Sequence, residues 1–319
     1  MSVLLHPADQ PHFRIVLRAS GCGVEVRLND VPILHEASGN AFHVDIPVNE
    51  WLFQGPNEIL LRLSATGGDF HAADAAVLSL EHRRLRSLHR TSVNCGTIEA
   101  RPDTFPRHHQ GHTPGPEGHS HPHGGQDEDA HTHEPPDEDE DIPLLALPGV
   151  AEDIHWNAAD PVRHPEPPVM EVRATFHLPP PWPQPPWKQA LEQDGGAGCQ
   201  YIMTRQMRAL WDILDRRDAA SCCLMFAQRT AALTAAYQLT EAESLRQLFL
   251  PDILPDPAWE LQPFPGGSLP VETAASGRLL RAASQEGMYP IAMVHKGMGV
   301  EIAVDAWWML SGGIWQIIR

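Results

Sequence analysis

Hydrophobic and polar residues alternate along much of the first hundred residues. The alternation is clearest in the runs HFRIVLRA from His12, VEVRL from Val24 and FHVDIPV from Phe42. Two further runs, EILLRLS and AVLSLEHRR, follow turns that are rich in Gly, Pro and Asn. A period of two is typical of strands that bury one face. Short strands at this spacing predict an antiparallel β-sandwich.

A sixth alternating run, VMEVRATFHL, covers residues 169–178. Its apolar positions form one continuous face, so it predicts a strand that completes the sandwich. The segment PPPWPQPPW follows, and its proline content predicts an extended connector. Trp182 and Trp187 are expected to hold this connector at a domain junction, or to be read by an aromatic-lined groove of a partner.

Apolar spacing becomes helical between residues 200 and 251. Gln200–Asp215 has one apolar face, Asp218 is an expected N-cap of a second helix that runs to about residue 238, and Thr240 with Glu243 forms a capping box for a third. From Trp259 the period returns to two, in WELQPF, GRLLRAAS, MYPIAMVHK, GVEIAVDAWWML and GIWQIIR. Helices followed by an antiparallel sheet predict an α+β architecture.

The predicted fold class is therefore α+β with several domains. An antiparallel β-sandwich precedes a small domain of helices and then antiparallel sheet, and a long disordered insertion interrupts the sandwich. The predicted boundaries are 1–100 plus 168–180 for the sandwich, 101–167 for the insertion, 181–197 for the connector and 198–319 for the α+β domain.

The insertion differs from the rest of the chain in composition. It has eight histidines between residues 108 and 133 and ten carboxylates between residues 117 and 141. With scarcely an aliphatic residue there, burial cannot offset the loss of chain entropy, so disorder is expected. The apolar run IPLLALPGV at 142–150 is expected to dock on a folded surface.

The charge of the chain is concentrated in the same stretch. The formal net charge is −18, and residues 108–162 hold thirteen Asp or Glu and no Lys or Arg, which leaves −18 + 13 = −5 for the remainder. The folded parts are thus mildly acidic and have no basic stripe, which argues against nucleic acid as a partner.

The histidines of the insertion are candidate ligands for Zn or Ni, because imidazoles at H-x-H spacing beside carboxylates suit these metals. The run EGHSHPHGG resembles His-rich loops of zinc transporters, zinc-binding periplasmic receptors and nickel chaperones. A charge response near pH 5 and a plain solvated spacer are the alternatives. The candidate ligands are His108, His109, His112, His119, His121, His123, His131 and His133.

Two resemblances concern the folds. The run VEVRLNDVPIL, with Gly39, Phe42 and EWLFQGPNEILLRLS, resembles the jelly-roll, galactose-binding-like sandwich domains of family 2 glycoside hydrolases; this likeness concerns turn and core positions. The order of helices and strands from residue 198, with Asp215, Asp218 and the terminal GIWQIIR, resembles the cone fold of the nuclear transport factor 2 superfamily. That superfamily includes isomerases, dehydratases and pure binding domains, so the resemblance implies a fold and not an activity.

Candidate chemistry is sparse elsewhere. The five cysteines form no C-x-x-C pair, and no nucleophile elbow, P-loop, dinucleotide fingerprint or H-E-x-x-H motif is present. An enzyme that uses a cone pocket would draw on His295, Asp305, Asp215 or Tyr289. Asp305 is expected to lie within a strand and to face outward. The candidate interaction residues are Trp51, Trp182, Trp187, Trp307 and Trp308.

The sequence favours a cytoplasmic bacterial binding or accessory protein without chemistry of its own. An adaptor or immunity protein of a secretion or toxin system fits this layout, with another protein as its partner; the oligomeric state is open. No apolar run approaches the ~20 residues that a membrane helix needs. Metal buffering by the insertion, with Zn or Ni, and a small-molecule-modifying enzyme are the alternatives; no other cofactor is implied.

The metal alternative predicts that deleting residues 108–133 abolishes zinc or nickel binding, because the deletion removes all eight candidate imidazoles. Equilibrium dialysis of the full chain and the deletion variant measures this. A full chain that binds no more than about one weak equivalent of metal contradicts the alternative.

Overall fold

The fold is described from a computed structural model. The described residues are 12–83, 92–101, 154–165, 168–180, 182–237, 239–248, 250–283 and 289–319. The eight candidate metal ligands and the apolar run at 142–150 lie outside these ranges.

The first half of the chain forms two antiparallel sheets that face each other. One has the strand order β4-β1-β6-β7, and the other has the order β3-β2-β5-β10-β8, with β9 also paired to β10. The strands are β1 His12–Ser20, β2 Cys22–Leu28, β3 Val31–Glu36, β4 Phe42–Pro47, β5 Gly55–Ala65, β6 Ala75–Arg83, β7 Ser92–Ala100, β8 Trp156–Ala158, β9 Val162–Pro165 and β10 Pro168–Leu178.

The strand after the low-complexity stretch belongs to the sandwich. Residues Val169–Leu178 of β10 pair with Ser64–Gly55 of β5, and β8 and β9 lie on the other side of β10. Within the predicted insertion 101–167, Trp156–Ala158 and Val162–Pro165 thus form short strands that pair with β10. Trp156 explains why so short a segment is ordered, because its ring stacks on Phe176 at a centroid distance of 5.9 Å.

The second half confirms the α+β class. Asp218 caps its helix through the Ser221 N–H, and Thr240 and Glu243 form the predicted capping box. The second predicted helix is broken at Phe226 into two helices. The helices are α1 Ala197–Asp215, α2 Ala219–Met225, α3 Ala227–Tyr237, α4 Glu241–Arg246 and α5 Leu250–Ile253.

In the described residues, seven short strands follow the helices and form two antiparallel sheets. One has the order β11-β14-β15 and the other has the order β12-β13-β16-β17. The strands are β11 Trp259–Leu261, β12 Val271–Ala274, β13 Leu279–Ala282, β14 Ala292–His295, β15 Glu301–Ala303, β16 Trp308–Ser311 and β17 Ile314–Ile317. Among the helices of the described residues, none has the length and apolar character that crossing a bilayer requires.

The sheet β12-β13-β16-β17 contributes buried residues to two cores. Trp307 and Ile318 pack in the same core as the sandwich strands, whereas Trp308 and Ile317 pack in a second core with the apolar face of α1. Because neighbouring residues in extended chain point to opposite faces, the adjacent tryptophans enter different cores. The two halves of the chain are therefore continuous in their packing.

The predicted strand GVEIAVDAWWML is divided in two. Residues 301–303 join one sheet and residues 308–311 join the other, and Asp305 lies in the segment between them. The expectation that Asp305 is a strand residue facing outward is wrong. Its carboxylate is half-buried and accepts two hydrogen bonds from Arg281 Nη1, at 3.1 and 2.9 Å.

Asn49 connects the sandwich to α3. This buried residue lies in a single 3-10 turn, Asn49–Trp51, between β4 and β5. Its Oδ1 accepts from the Phe13 N–H at 2.7 Å, and its Nδ2 donates to the Ala236 carbonyl at 2.9 Å. Both partners are main-chain groups that need a hydrogen bond when they are buried, so the asparagine fixes how α3 sits on the sandwich.

We expect Asn49→Ala to lower the free energy of unfolding by about 2 to 4 kcal/mol, because it removes the side-chain partners of two main-chain groups. Urea unfolding followed by tryptophan fluorescence measures the change. The exposed Asn40 is the matched control, and Asn40→Ala should change stability by less than about 0.5 kcal/mol. Equal effects of the two substitutions would contradict the role of Asn49.

Candidate functional site

A cavity of about 540 Å³ lies beside the junction between the sandwich and the α+β part. Two arginines line it, Arg229 from α3 and Arg319 after β17. We call it the arginine cavity. Its apolar lining comes from the helices and from β15 with the segment after it: Phe226, Leu248, Leu250, Ile302 and Val304. A volume of this size is typical of small-molecule sites.

Local structure places each arginine. Arg229 lies in the first turn of α3, which begins at Ala227 directly after the helix break at Phe226. Arg319 follows Ile318, whose N–H donates to the Trp307 carbonyl at 2.8 Å and so extends the pairing of β16 with β17. The Arg319 guanidinium donates to the carbonyls of Pro32 and Ile33 in β3, at 2.7 and 3.1 Å.

Neither arginine of the cavity has a carboxylate within salt-bridge distance among the described residues. Arg229 Nη1 is buried and has no hydrogen-bond partner there, and Arg229 Nη2 has only a long contact, 3.5 Å, to the Gln247 carbonyl. By contrast, Arg281 on β13 binds Glu272 at 2.6 Å and Asp305 at 2.9 Å. Buried charges are normally paired, so Arg229 and Arg319 are exceptional.

The pKa shifts of the three arginines follow the same difference in pairing with carboxylates. Burial lowers the pKa of Arg229, and Arg319 lowers it further, while Glu50 opposes both effects. Burial also lowers the pKa of Arg319, although Asp305 and Glu50 act against it. Burial alone would lower the pKa of Arg281, but Asp305 and Glu272 outweigh it and raise that pKa. A guanidinium stays protonated throughout, so the cavity wall carries two positive charges.

A neighbouring cavity of about 450 Å³ shares Arg229 and is also lined by Glu50 and Tyr237. The Tyr237 hydroxyl donates to Glu50 Oε2 and accepts from the Asn49 N–H at 3.0 Å. Burial raises the pKa of Glu50, against Tyr237, Arg319 and Arg229. Burial and the Glu50 carboxyl together raise the pKa of Tyr237.

A third cavity, of about 520 Å³, shares Asp305 and Arg319 with the arginine cavity. It is lined by Arg281, Glu272 and Tyr289 as well. Because Arg281 binds both oxygens of Asp305, the carboxylate is held by an ion pair. The described lining of the arginine cavity contains no His, Ser, Thr, Cys or Lys, so Asp305 has no nucleophile or second base beside it there.

The five tryptophans predicted as interaction residues all lie in the interior. A partner would have to displace core packing to reach them. Trp182 packs edge-on against Phe13 at 5.5 Å, and Trp187 against Phe53 at 6.0 Å, so the connector is tied to the sandwich. The exposed fractions are 3% for Trp51, 7% for Trp182, 3% for Trp187, 0% for Trp307 and 1% for Trp308.

Of the four residues considered for chemistry, Asp305 and Tyr289 line one cavity, whereas His295 and Asp215 lie elsewhere. His295 packs against Trp259 at 5.2 Å, and its Nδ1 accepts from the Gly297 and Met298 N–H groups, which orders the turn after β14. Asp215 is exposed at the end of α1. Within the described ranges no group of three His, Cys, Asp or Glu could hold a metal ion.

Sequence reasoning missed Arg229, Arg319, Glu50 and Tyr237. One signal was present for Arg229, because residues 226, 229, 233 and 237 share a helical face with a period near 3.6. A charged residue on a face that also holds Phe226 and Leu233 indicates a buried charge. No local pattern indicates that Arg319 and Glu50 lie near it, since 90 residues or more separate each of them from Arg229.

The raised pKa of Glu50 predicts a pH dependence. A folded-state pKa above the unfolded-state value gives a stabilising contribution that is complete below the unfolded pKa and is lost as pH rises through the folded pKa. Above about pH 4.5, we therefore expect the wild type to lose stability with rising pH more steeply than Glu50→Gln.

Urea unfolding at pH 5, 6, 7 and 8 measures the two slopes. The exposed Glu241 supplies the control, and Glu241→Gln should keep the wild-type slope. The same slope in Glu50→Gln as in the wild type would show that Glu50 is ionised in the folded protein over this range.

Comparison of the chain with protein-family models, with curated proteins and with solved structures finds no match. The resemblances to family 2 glycoside hydrolase sandwich domains and to the nuclear transport factor 2 superfamily therefore stay predictions.

Proposed function

We propose that this protein is a binding protein without chemistry of its own, and that it holds an anionic group of its ligand in the arginine cavity. The observation that carries the proposal is the half-buried Arg229, whose Nη1 is buried without a partner among the described residues and which faces a cavity that Arg319 also lines. An arginine fork is well suited to carboxylates and phosphates.

The cost of this arrangement supports a functional role. A buried charge without a partner destabilises the folded state. Residues that a protein keeps at such a cost are concentrated at functional sites. By contrast, the nearby Arg281 binds two carboxylates, those of Glu272 and Asp305. The same fold can therefore supply an arginine with carboxylate partners.

The composition of the cavity wall favours binding over catalysis. Acid–base or nucleophilic chemistry needs a nucleophile or base with a second group that positions it. In the described lining, Asp305 alone is of that kind, and Arg281 binds both of its oxygens.

A role as an adaptor or immunity protein of a bacterial secretion or toxin system is one setting for such a binding protein. Its support is the two-part architecture with a long inserted segment. In that setting the arginine cavity would receive an acidic group of the partner. Metal buffering rests on the histidines of the insertion alone and is a separate proposal.

The first test is the stability of Arg229→Gln in the absence of added ligand. Since the substitution removes a buried and unpaired charge, we expect the variant to unfold at no lower urea concentration than the wild type. An arginine kept for structure would give the opposite result, a loss of about 1–3 kcal/mol.

The second part of the test is thermal unfolding of the full chain with sodium acetate, octanoate or inorganic phosphate, at constant ionic strength set with sodium chloride. A ligand at 100 times its Kd stabilises by about 2.7 kcal/mol. At least one anion should stabilise the wild type and the control Arg205→Gln, which changes an exposed arginine of α1, but not Arg229→Gln. Equal stabilisation of all three proteins, or of none, contradicts the proposal.

A further inference from the structure

We propose that the arginine cavity selects a monocarboxylate with an apolar body, and that it discriminates against dianions such as phosphate. The inference rests on the proposed function and names the ligand class. Two features of the cavity support this inference. They are the net charge of its side chains and the apolar nature of most of its lining.

The charged side chains in the described lining add up to one net positive charge, because Arg229 and Arg319 are cationic and Asp305 is anionic. Neither arginine is paired with a carboxylate side chain among the described residues. Arg281 binds Asp305 from outside this lining and also binds Glu272. Glu50 lines the neighbouring cavity.

A monoanion therefore neutralises the site. A dianion would leave a net negative charge beside Asp305. In a cavity with a largely apolar wall, the local dielectric is low, so an uncompensated charge is costly. The charge balance thus favours one carboxylate over a phosphate dianion.

The guanidinium groups have free donors for two carboxylate oxygens. An arginine has five N–H donors, and Arg319 uses two contacts, to Pro32 and Ile33. Arg229 makes one long contact. Both arginines line the same cavity. Each guanidinium therefore has donors left for a carboxylate that binds there.

Apart from Gln247, the remaining described wall is apolar and fits an apolar body. Phe226, Leu248, Leu250, Ile302 and Val304 face the same cavity. These side chains offer no hydrogen bond to the hydroxyls of a sugar or to the outer oxygens of a phosphate. An acyl chain or an aromatic ring attached to the carboxylate would bury apolar surface against them.

The experiment is calorimetric titration of the full chain with sodium octanoate. The comparison probes are octanamide, which has the same chain without the charge, acetate, which has the charge without the chain, and inorganic phosphate. Octanoate should bind the wild type at least about tenfold more tightly than each of the other three.

Two variants separate the contributions of charge and apolar contact. Arg229→Gln should weaken octanoate binding by at least about tenfold. Ile302→Ser changes a half-buried side chain of the cavity wall and should weaken octanoate binding several-fold more than acetate binding. Arg205→Gln should bind octanoate as the wild type does.

The outcomes distinguish the two proposals. Octanamide binding equal to octanoate binding would overturn the selection for a carboxylate. Phosphate binding that exceeds octanoate binding and is lost in Arg229→Gln would overturn the monocarboxylate class and keep the anion-binding function. If neither octanoate nor phosphate binds the wild type, the ligand class and the proposed function both fall.

Discussion

The sheet β12-β13-β16-β17 supplies buried residues to two cores, and this sharing is the constraint on which the rest of the structure depends. Trp307 and Ile318 pack with the sandwich on one side, and Trp308 and Ile317 pack with α1 on the other. Two separately folded domains could move relative to each other, but here one sheet is part of both cores. The sandwich and the α+β part are therefore held in a fixed relation.

That fixed relation brings the charged groups together. The segments that supply them are the turn at Asn49–Trp51, helix α3, and the residues beside β15, β16 and β17. Asn49 ties the turn to α3, and Arg319 ties the end of β17 to β3. The wall of the arginine cavity draws on several of these segments, so a rigid junction gives the binding place a defined shape. This is the physical reason to look for a ligand there and not on the exposed surface.

Strands and caps were predictable where one local rule decided them. The alternation in β1, β2, β5 and β10 follows from one buried face, and the caps at Asp218 and Thr240 need only neighbouring main-chain N–H groups. The same rule failed for residues 299–310. A run with two adjacent buried tryptophans has no polar face that marks where one strand ends and the next begins. Alternation alone therefore predicts that Asp305 lies in a strand, whereas in the structure it lies between two strands. The short strands β8 and β9 were missed because their order depends on pairing with β10.

The sequence by itself determined the α+β class, the location of six of the ten described sandwich strands and the concentration of negative charge in the inserted segment. These depend on composition and on periods of two or 3.6 residues, which the chain carries locally. Only the tertiary structure decided that all five candidate tryptophans are buried and that Arg229, Arg319, Glu50 and Asp305 gather at one junction. Burial and charge pairing depend on segments far apart in the chain, and no local pattern records which charges will meet or which will lack a partner.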